Sequence, residues 1–194
     1  VFRLLGRAHR SRGFVEAIRA FKKFLNKNPS AKAELTIDLF TDSPKDSRSE
    51  INLHYNSIKI KIWNPISIVE SNVEAIGSVM REITNKYATS SFVLLPYIYK
   101  QFVDPPLTFL ESLATASYVV TTDLLSQFVD TGVVVSIRGE NLIEALAKSF
   151  EYLYEVYDSS EYWIMREKAY LWALNNASPQ AVRKVLGGLS VWKR

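Results

Sequence analysis

The stretch from Ser91 to Thr122 places the strongest constraint on the fold of this chain. It reads SFVLLPYIYKQFVDPPLTFLESLATASYVVTT. Two short runs of apolar and β-branched residues, Phe92–Leu95 and Tyr118–Thr122, are typical of buried strands. Between them, a polar loop leads to a segment whose apolar residues recur at helical spacing: Leu107, Phe109, Leu110, Leu113 and Ala114. The pattern predicts a strand, a loop, a helix and a second strand, which is the repeating unit of a parallel sheet.

The predicted helix in this stretch opens with Asp104-Pro105-Pro106. Pro106 suits the first turn, because the N–H that it lacks would have no partner there, and Asp104 is a candidate N-cap. Because the strand ends where the helix begins, free backbone N–H groups should point into the crevice above the sheet. Such a crevice favours the binding of an anion.

The rest of the chain repeats this alternation of strands and helices. Further strands are predicted at residues 1–5, 35–40, 58–62 and 133–137, and helices at 14–26, 69–87, 141–157, 160–175 and 179–187. The polar stretch 41–56 is predicted to be a loop with one turn. The alternation indicates an α/β fold, namely a doubly wound, Rossmann-like parallel sheet with C-terminal helices. We expect one domain over residues 1–157 and a helical extension over 158–194 that packs on it.

A second candidate anion site lies near the amino end, in the loop GRAHRSRG at residues 6–13. Gly6 and Gly13 frame this loop, and Arg7 and Arg12 are among its basic residues. A loop between a strand and a helix commonly binds phosphate, although the glycine fingerprint of dinucleotide-binding folds is missing here. The alternative is an ordinary solvated basic loop.

Both motifs resemble those of retaining glycosyltransferases with two Rossmann-like domains, the GT-B architecture of the group 1 (glycogen-synthase-like and mannosyltransferase-like) enzymes. The segment DPPLTFLESLATASYVVTT is similar to the donor-site pattern E-P-F-G-L-x-x-L-E-A-M-A-x-G-x-P-V-I, with Glu111 on the second glutamate. The loop GRAHRSRG is similar to G-R-x-x-x-x-K-G, with Arg12 in place of the lysine. The chain departs from the pattern at Val103, Ala116 and Tyr118, where the family has its first glutamate, a glycine and a proline.

The resemblance implies that the chain is the C-terminal, donor-binding domain of an archaeal-type variant of such an enzyme, and that this domain alone is inactive. Arg7 and Arg12 would hold the donor diphosphate, on which charge builds as the glycosidic bond breaks. Glu111 would accept hydrogen bonds from the ribose hydroxyls; the alternative is that it faces solvent. The other donor-binding positions implied are Gly6, Gly13, Asp104, Pro106, Leu107 and Thr108.

The loop after the strand at residues 58–62 lies beside the nucleobase in the family. This implies weak candidate contacts at Trp63, Pro65 and Ile66, although a tryptophan in such a position more often caps the core. The resemblance also implies a nucleotide-diphosphate sugar as substrate, with no cofactor and no metal. A nucleotide-sugar epimerase relative, or a non-catalytic module built on a decayed donor site, remains as an alternative.

Composition excludes some kinds of site and leaves others open. With no cysteine, the chain can form neither disulfides nor thiol or cysteine–metal sites, and its two histidines lie far apart. The net charge of +4 fits an anionic small molecule or an acidic membrane surface, whereas the basic residues are too spread out to indicate nucleic-acid binding.

We expect a cytoplasmic protein with peripheral contact to the inner face of the membrane. Because the sequence starts within a strand and lacks an initiator methionine, we expect a longer chain with an N-terminal acceptor domain.

Overall fold

The computed structural model describes residues 1–7, 9–40, 51–63, 73–99, 106–128, 134–137 and 141–181. Its strands are β1 (Phe2–Arg7), β2 (Leu35–Phe40), β3 (Ile51–Tyr55), β4 (Ile58–Trp63), β5 (Phe92–Leu95), β6 (Tyr118–Thr122) and β7 (Val134–Ile137). Its α-helices are α1 (Phe14–Lys27), α2 (Val73–Ala88), α3 (Leu107–Ala114), α4 (Leu142–Val156) and α5 (Ser160–Asn176). Two 3-10 segments, Arg10–Arg12 and Asp123–Phe128, complete the order.

All seven of these strands form one sheet in the order β3-β4-β2-β1-β5-β6-β7. Every neighbouring pair is parallel except β3 and β4, which pair antiparallel at one edge. The predicted α/β fold with a doubly wound parallel sheet is therefore confirmed. The chain builds outward from β1 through β2 to β4 and then returns to place β5 on the other side of β1. The loops that follow β1 and β5 diverge there, which opens a crevice at the carboxyl edge of the sheet.

One face of the sheet, here called the aromatic face, packs against α1 and α4. Phe2 on β1 meets Phe21 and Phe150, and the ring centroids of these three residues lie 4.8–6.0 Å apart. Both helices bury residues at a spacing of three and four, as an amphipathic helix does: Ala17, Ala20, Phe21 and Phe24 on α1, and Leu146, Ala147, Phe150 and Leu153 on α4. This regular burial explains why the sequence pattern gave both helices nearly correct bounds.

The opposite face, here called the mixed face, packs against α2 and α3. Its apolar part is formed by strand residues and α3 residues that are buried together: Leu5, Val93, Leu95, Val119, Phe109 and Leu113. Beside this patch lies Asp38 on β2, which is only 1% exposed. Its carboxylate accepts hydrogen bonds from Arg3 Nη1 at 3.3 Å and from Lys86 Nζ on α2 at 2.6 Å. Helix α2 is therefore tied to the sheet by an ion pair as well as by apolar packing.

Helix α5 contributes to both cores. Tyr162 is buried with the aromatic-face residues, whereas Ala169 and Ala173 are buried with the mixed-face residues. Arg166 Nε donates to the Ala116 carbonyl at 2.7 Å, just after the end of α3. This helix is thus packed on the sheet domain through apolar contacts and a partly buried hydrogen bond. None of the helices in the described ranges is long and apolar enough to cross a bilayer.

The structure corrects the prediction of a loop over residues 41–56, because Ile51–Tyr55 forms the edge strand β3. Asn56 has a φ of 49°, a left-handed conformation that asparagine tolerates well, and it makes the tight turn into β4. The remaining part of that stretch, residues 41–50, lies outside the described ranges. An asparagine-containing turn between two β-rich runs was the signal that the sequence interpretation missed.

The start of α3 also differs from the prediction. The helix begins at Leu107, and Pro106 occupies the N-cap position with a ψ of 143° and no side-chain cap. The predicted N-cap, Asp104, lies outside the described part of the chain. The other elements agree closely with their predicted bounds, and most of the helix predicted at 179–187 lies beyond the described residues.

Candidate functional site

The candidate site lies at the carboxyl edge of the sheet, where the loops after β1 and β5 meet. These two strands are paired in parallel, with Phe2 beside Phe92 and Leu4 beside Leu94. The β1 loop leads to α1 on the aromatic face, and the β5 loop leads to α3 on the mixed face. Ligands of doubly wound sheets bind at this type of crevice, where two neighbouring connections leave in opposite directions.

The β1–α1 loop is held against the β5–α3 loop at two points. Gly13 has a φ of 67°, and a Cβ at this position would lie 2.0 Å from the carbonyl oxygen of Pro96. Only glycine fits both this backbone conformation and this close approach. Ile98 N–H also donates to the Ser11 carbonyl at 2.9 Å. The two loops therefore form one interlocked unit, although they are far apart in the sequence.

Arg12 extends from the first loop onto the second. Its Nη1 donates a short hydrogen bond to the Tyr97 hydroxyl, and its Cζ lies 4.8 Å from the centroid of the Tyr97 ring, within cation–π range. A Cβ built on Gly6 would lie 4.0 Å from Arg12 Nε, so the arginine side chain also passes close to the end of β1. These contacts fix the guanidinium at the crevice rather than in open solvent.

The same tyrosine reaches the start of α3. The Tyr97 hydroxyl lies 3.1 Å from Thr108 Oγ1, in the first turn of that helix. Burial raises the pKa of the Tyr97 hydroxyl, although the nearby Arg12 charge opposes the rise. The phenol is thus protonated at neutral pH and can both accept and donate hydrogen bonds.

The first turn of α3 presents backbone donors to the crevice. Phe109 and Leu110 N–H donate to the Pro106 carbonyl at 2.9 and 3.2 Å. The N–H groups of Leu107 and Thr108 have no hydrogen-bond partner among the described residues. With the helix dipole behind them, these donors favour a negatively charged group.

Glu111 lies one turn further along α3 and is partly buried. Its carboxylate makes no hydrogen bond or ion pair with any residue that the structure describes, and burial raises the pKa of the carboxyl. A partly buried carboxylate that lacks a partner lowers the stability of the fold unless a ligand binds to it. It could accept both hydrogen bonds of a vicinal diol.

The buried hydroxyl of Tyr87 lies within electrostatic range of both Arg12 and Glu111. Burial raises the pKa of this hydroxyl most strongly, the Glu111 charge raises it further, and the Arg12 charge lowers it. Both charges therefore act on one buried group beneath the crevice. The hydroxyl makes no hydrogen bond of good geometry to a described residue; the Ser112 hydroxyl nearby donates to the Thr108 carbonyl at 2.5 Å.

The structure brings together most of the positions predicted from the two motifs. Those found at the crevice are Gly6, Arg12, Gly13, Pro106, Leu107, Thr108 and Glu111. The backbone of Arg7 ends β1 at the same edge, but its side chain lies outside the described part of the structure. Asp104, Pro65 and Ile66 also lie outside the described residues.

The backbone of Trp63 ends β4 at the carboxyl edge. Trp63 is in register with Phe40, and Phe40 is in register with Arg7. Two strand spacings separate Trp63 from Arg7, or about 10 Å. Its side chain is not among those described, so its contact with a nucleobase remains a prediction.

Tyr97 is the site residue that sequence reasoning missed. It directly follows Pro96 at the end of a buried strand, in a loop predicted only to be polar. The available signal was a large residue at the carboxyl end of a strand, next to the crevice where the two connections diverge. Within the described ranges, no group of three or more histidine, cysteine or acidic side chains could hold a metal ion.

Comparison with solved structures shows which proteins share this fold. The chain is similar to a glycosyltransferase from Rickettsia africae, with a TM-score of 0.65 and 15% identity, over 96% of this chain and 46% of that one. It is also similar to the C-terminal domain of a group 1 family glycosyl transferase from Francisella tularensis, with a TM-score of 0.60 and 16% identity, over 92% and 86% of the two chains. The chain has the fold of a glycosyltransferase domain.

A third similar structure is the pneumococcal O-GlcNAc transferase solved with UDP and GlcNAc, with a TM-score of 0.60 and 13% identity. That match covers 96% of this chain and 35% of the pneumococcal one. The chain thus spans less than half the length of the Rickettsia and pneumococcal glycosyltransferases. No protein-family model and no curated protein sequence matches it.

Proposed function

We propose that this chain is the donor-binding half of a retaining glycosyltransferase that uses a nucleotide-diphosphate sugar. The observation that carries the proposal is the convergence, at one crevice, of the Arg12 guanidinium with the first N–H groups of α3 and the Glu111 carboxylate, which have no partner among the residues that the structure describes. The first two suit a diphosphate, and the third suits a ribose diol. Their chemistry therefore matches a nucleoside diphosphate better than a single phosphate or an uncharged sugar.

In the proposed reaction, the bond between the sugar and the diphosphate breaks, and negative charge accumulates on the leaving nucleoside diphosphate. Arg12, together with Arg7, and the Leu107 and Thr108 amides stabilise that charge, so no metal or cofactor is required. Glu111 holds the ribose and thereby sets the position of the diphosphate. The acceptor binds in an N-terminal domain of a longer chain, and the C-terminal residues 158–194 pack toward that domain.

The similarity to the pneumococcal transferase supports this assignment, because that protein was solved with UDP. The proposed donor is a UDP sugar or a GDP sugar. Trp63 ends its strand at the same sheet edge and is the proposed neighbour of the base. We place the protein in the cytoplasm, in peripheral contact with a membrane whose acidic surface suits the net charge of +4.

The test is a calorimetric titration of the 194-residue chain with UDP and GDP. We expect binding by one of them, and Arg12→Ala should weaken it by about 10- to 100-fold, since a hydrogen bond to a charged group contributes about 1.5–3 kcal/mol. Arg19→Ala is the matched control, because Arg19 is an exposed arginine on α1 away from the crevice. No binding of either nucleotide at millimolar concentration would contradict the proposal.

A non-catalytic nucleotide-sugar-binding module is the second candidate, and Val103 favours it. The resembling enzymes carry a glutamate there, and losing one polar stabiliser of the transition state typically costs about 10²–10³ in rate. Val103→Glu in the full-length protein should raise donor hydrolysis if the site is catalytic. Unchanged hydrolysis with intact UDP binding would favour the module. An epimerase relative would instead convert the donor alone to its sugar epimer.

A further inference from the structure

Tyr97 occupies the contact point between the two halves of the candidate site. Its side chain is 4% exposed, and its hydroxyl contacts both Arg12 Nη1 and Thr108 Oγ1. Its backbone is fixed as well, because the Thr122 hydroxyl donates to the Tyr97 carbonyl at 2.9 Å and Tyr97 N–H donates to the Leu95 carbonyl at 2.9 Å. The phenol is therefore a rigid group held at the end of β5.

The direction of the first hydrogen bond is determined by chemistry. A guanidinium can only donate, so the Tyr97 oxygen accepts from Arg12. The phenol proton can then go to Thr108 Oγ1, which leaves the threonine hydroxyl able to donate toward the crevice. In this order, the Arg12 guanidinium and the Thr108 hydroxyl can both act as donors toward the crevice, and Tyr97 links them.

Arg12 needs such a support because an arginine side chain has several rotatable bonds and loses entropy when a ligand fixes it. The Tyr97 ring stacks on the guanidinium, and the hydroxyl fixes its Nη1 edge. Both contacts restrict the arginine before any ligand arrives. A preorganised cation binds an anion more tightly than a mobile one, because the ordering cost has already been met within the fold.

We propose that Tyr97 is a positioning residue, which holds the Arg12 guanidinium against the start of α3 so that both engage one diphosphate. The inference rests on the proposed function for its ligand, but the contacts that carry it exist without a ligand. Its own contact is with Arg12 and Thr108, and through them it acts on the diphosphate. Its substitution should therefore affect binding of the diphosphate part of the ligand and leave binding of the nucleoside part unchanged.

The binding test compares Tyr97→Phe with Tyr87→Phe in the 194-residue chain, using UDP, UMP and uridine as probes. Tyr87 is the matched control, because it is a buried tyrosine of the same core whose hydroxyl has no partner in the described structure. Tyr97→Phe should weaken UDP binding by about tenfold and UMP binding by less, and should leave uridine binding unchanged. Tyr87→Phe should change none of the three.

A double-mutant cycle separates positioning from a general structural effect. If Tyr97 acts through Arg12, the loss caused by Tyr97→Phe should disappear in the Arg12→Ala background. An equal loss in both backgrounds, or wild-type UDP affinity in Tyr97→Phe, would overturn the inference.

A measurement without ligand keeps this inference distinct from the proposed function. In ¹⁵N NMR, the Arg12 side-chain resonance, assigned by its loss in Arg12→Lys, should show slow N–H exchange that Tyr97→Phe abolishes and Tyr87→Phe preserves. If that signature is present while UDP and GDP do not bind, the positioning of Arg12 stands and the proposed donor fails. If the Arg12 N–H groups exchange as fast as those of an exposed arginine, Tyr97 does not position it.

Discussion

The two faces of the sheet bury different kinds of side chain. We infer that the aromatic face mainly stabilises the fold, whereas the mixed face supports the candidate site. The aromatic face is a continuous apolar core in which Phe2, Phe21 and Phe150 contact one another. The mixed face buries charged and hydroxyl groups within a few residues of apolar ones, among them Asp38 and Tyr87. Buried polar groups that lack full pairing cost stability. We therefore expect the mixed face, which supports the candidate site, to contribute less to the free energy of unfolding than the aromatic face.

The largest effect should follow from opening the aromatic face. Phe150→Ala removes a ring that contacts Phe2, Phe21 and Phe24, and should lower the free energy of unfolding by about 3–5 kcal/mol. Chemical denaturation measures this loss. The remaining folded protein should bind UDP as the wild type does, and a matching loss of affinity would mean that the two faces are not independent.

Neutralising the buried carboxylate of the mixed face should rank second. Asp38→Asn removes the buried carboxylate that pairs with Arg3 and Lys86 and leaves Lys86 with the more exposed Glu82, 3.2 Å away, which should lower the free energy of unfolding by about 3 kcal/mol. The exposed pair of Lys27 and Glu151 is the control, and Glu151→Gln should change stability too little to resolve. Equal effects of the two substitutions would show that Asp38 is screened by solvent.

Removing the hydroxyl beneath the site should act in the opposite direction. Tyr87→Phe deletes a buried hydroxyl that has no partner among the described residues, and should raise the free energy of unfolding by about 1 kcal/mol. Tyr97→Phe deletes an equally buried hydroxyl with two partners, so it should lower stability instead. A loss of stability in Tyr87→Phe would reveal a hydrogen bond to a part of the chain that the structure does not describe.

The smallest effect should be a change in the pH dependence of stability. Because burial raises the pKa of Glu111 above its value of about 4.3 in an unfolded chain, the folded state binds more protons just above that pH. Glu111 should therefore reduce stability as the pH rises through this window, and Glu111→Gln should remove that decline. Denaturation midpoints at pH 4 and pH 7 measure it; an unchanged slope in the variant would assign the pH dependence to another group.

The sequence predicted the elements whose pattern is local. Phe92–Leu95 and Tyr118–Thr122 have the predicted bounds, because strands buried on both faces appear as continuous runs of apolar and β-branched residues. The edge strand β3 was missed, because a polar edge strand next to a longer polar stretch has no such run. Its existence depends on pairing with β4 through the Asn56 turn.

For the site, the sequence indicated which loops face the crevice but not which side chains meet there. Arg12, Thr108 and Glu111 could be found from spacing and resemblance, since each lies at the start of a predicted helix or one turn into it. Tyr97 could not, because its partner Arg12 lies 85 positions away in the chain. Contacts over such separations depend on strand order, which periodicity does not encode.

The interlocking of Ser11–Gly13 with Pro96–Ile98 has a consequence for the order of events during synthesis. The first βα unit is synthesised early, but Arg12 can contact Tyr97 only after β5 has emerged and paired with β1. The candidate site should therefore form only after residues 92–98 have emerged, about halfway through the synthesis of the 194 residues. A fluorescent UDP analogue added to stalled nascent chains would then report completion of the central sheet rather than its nucleation.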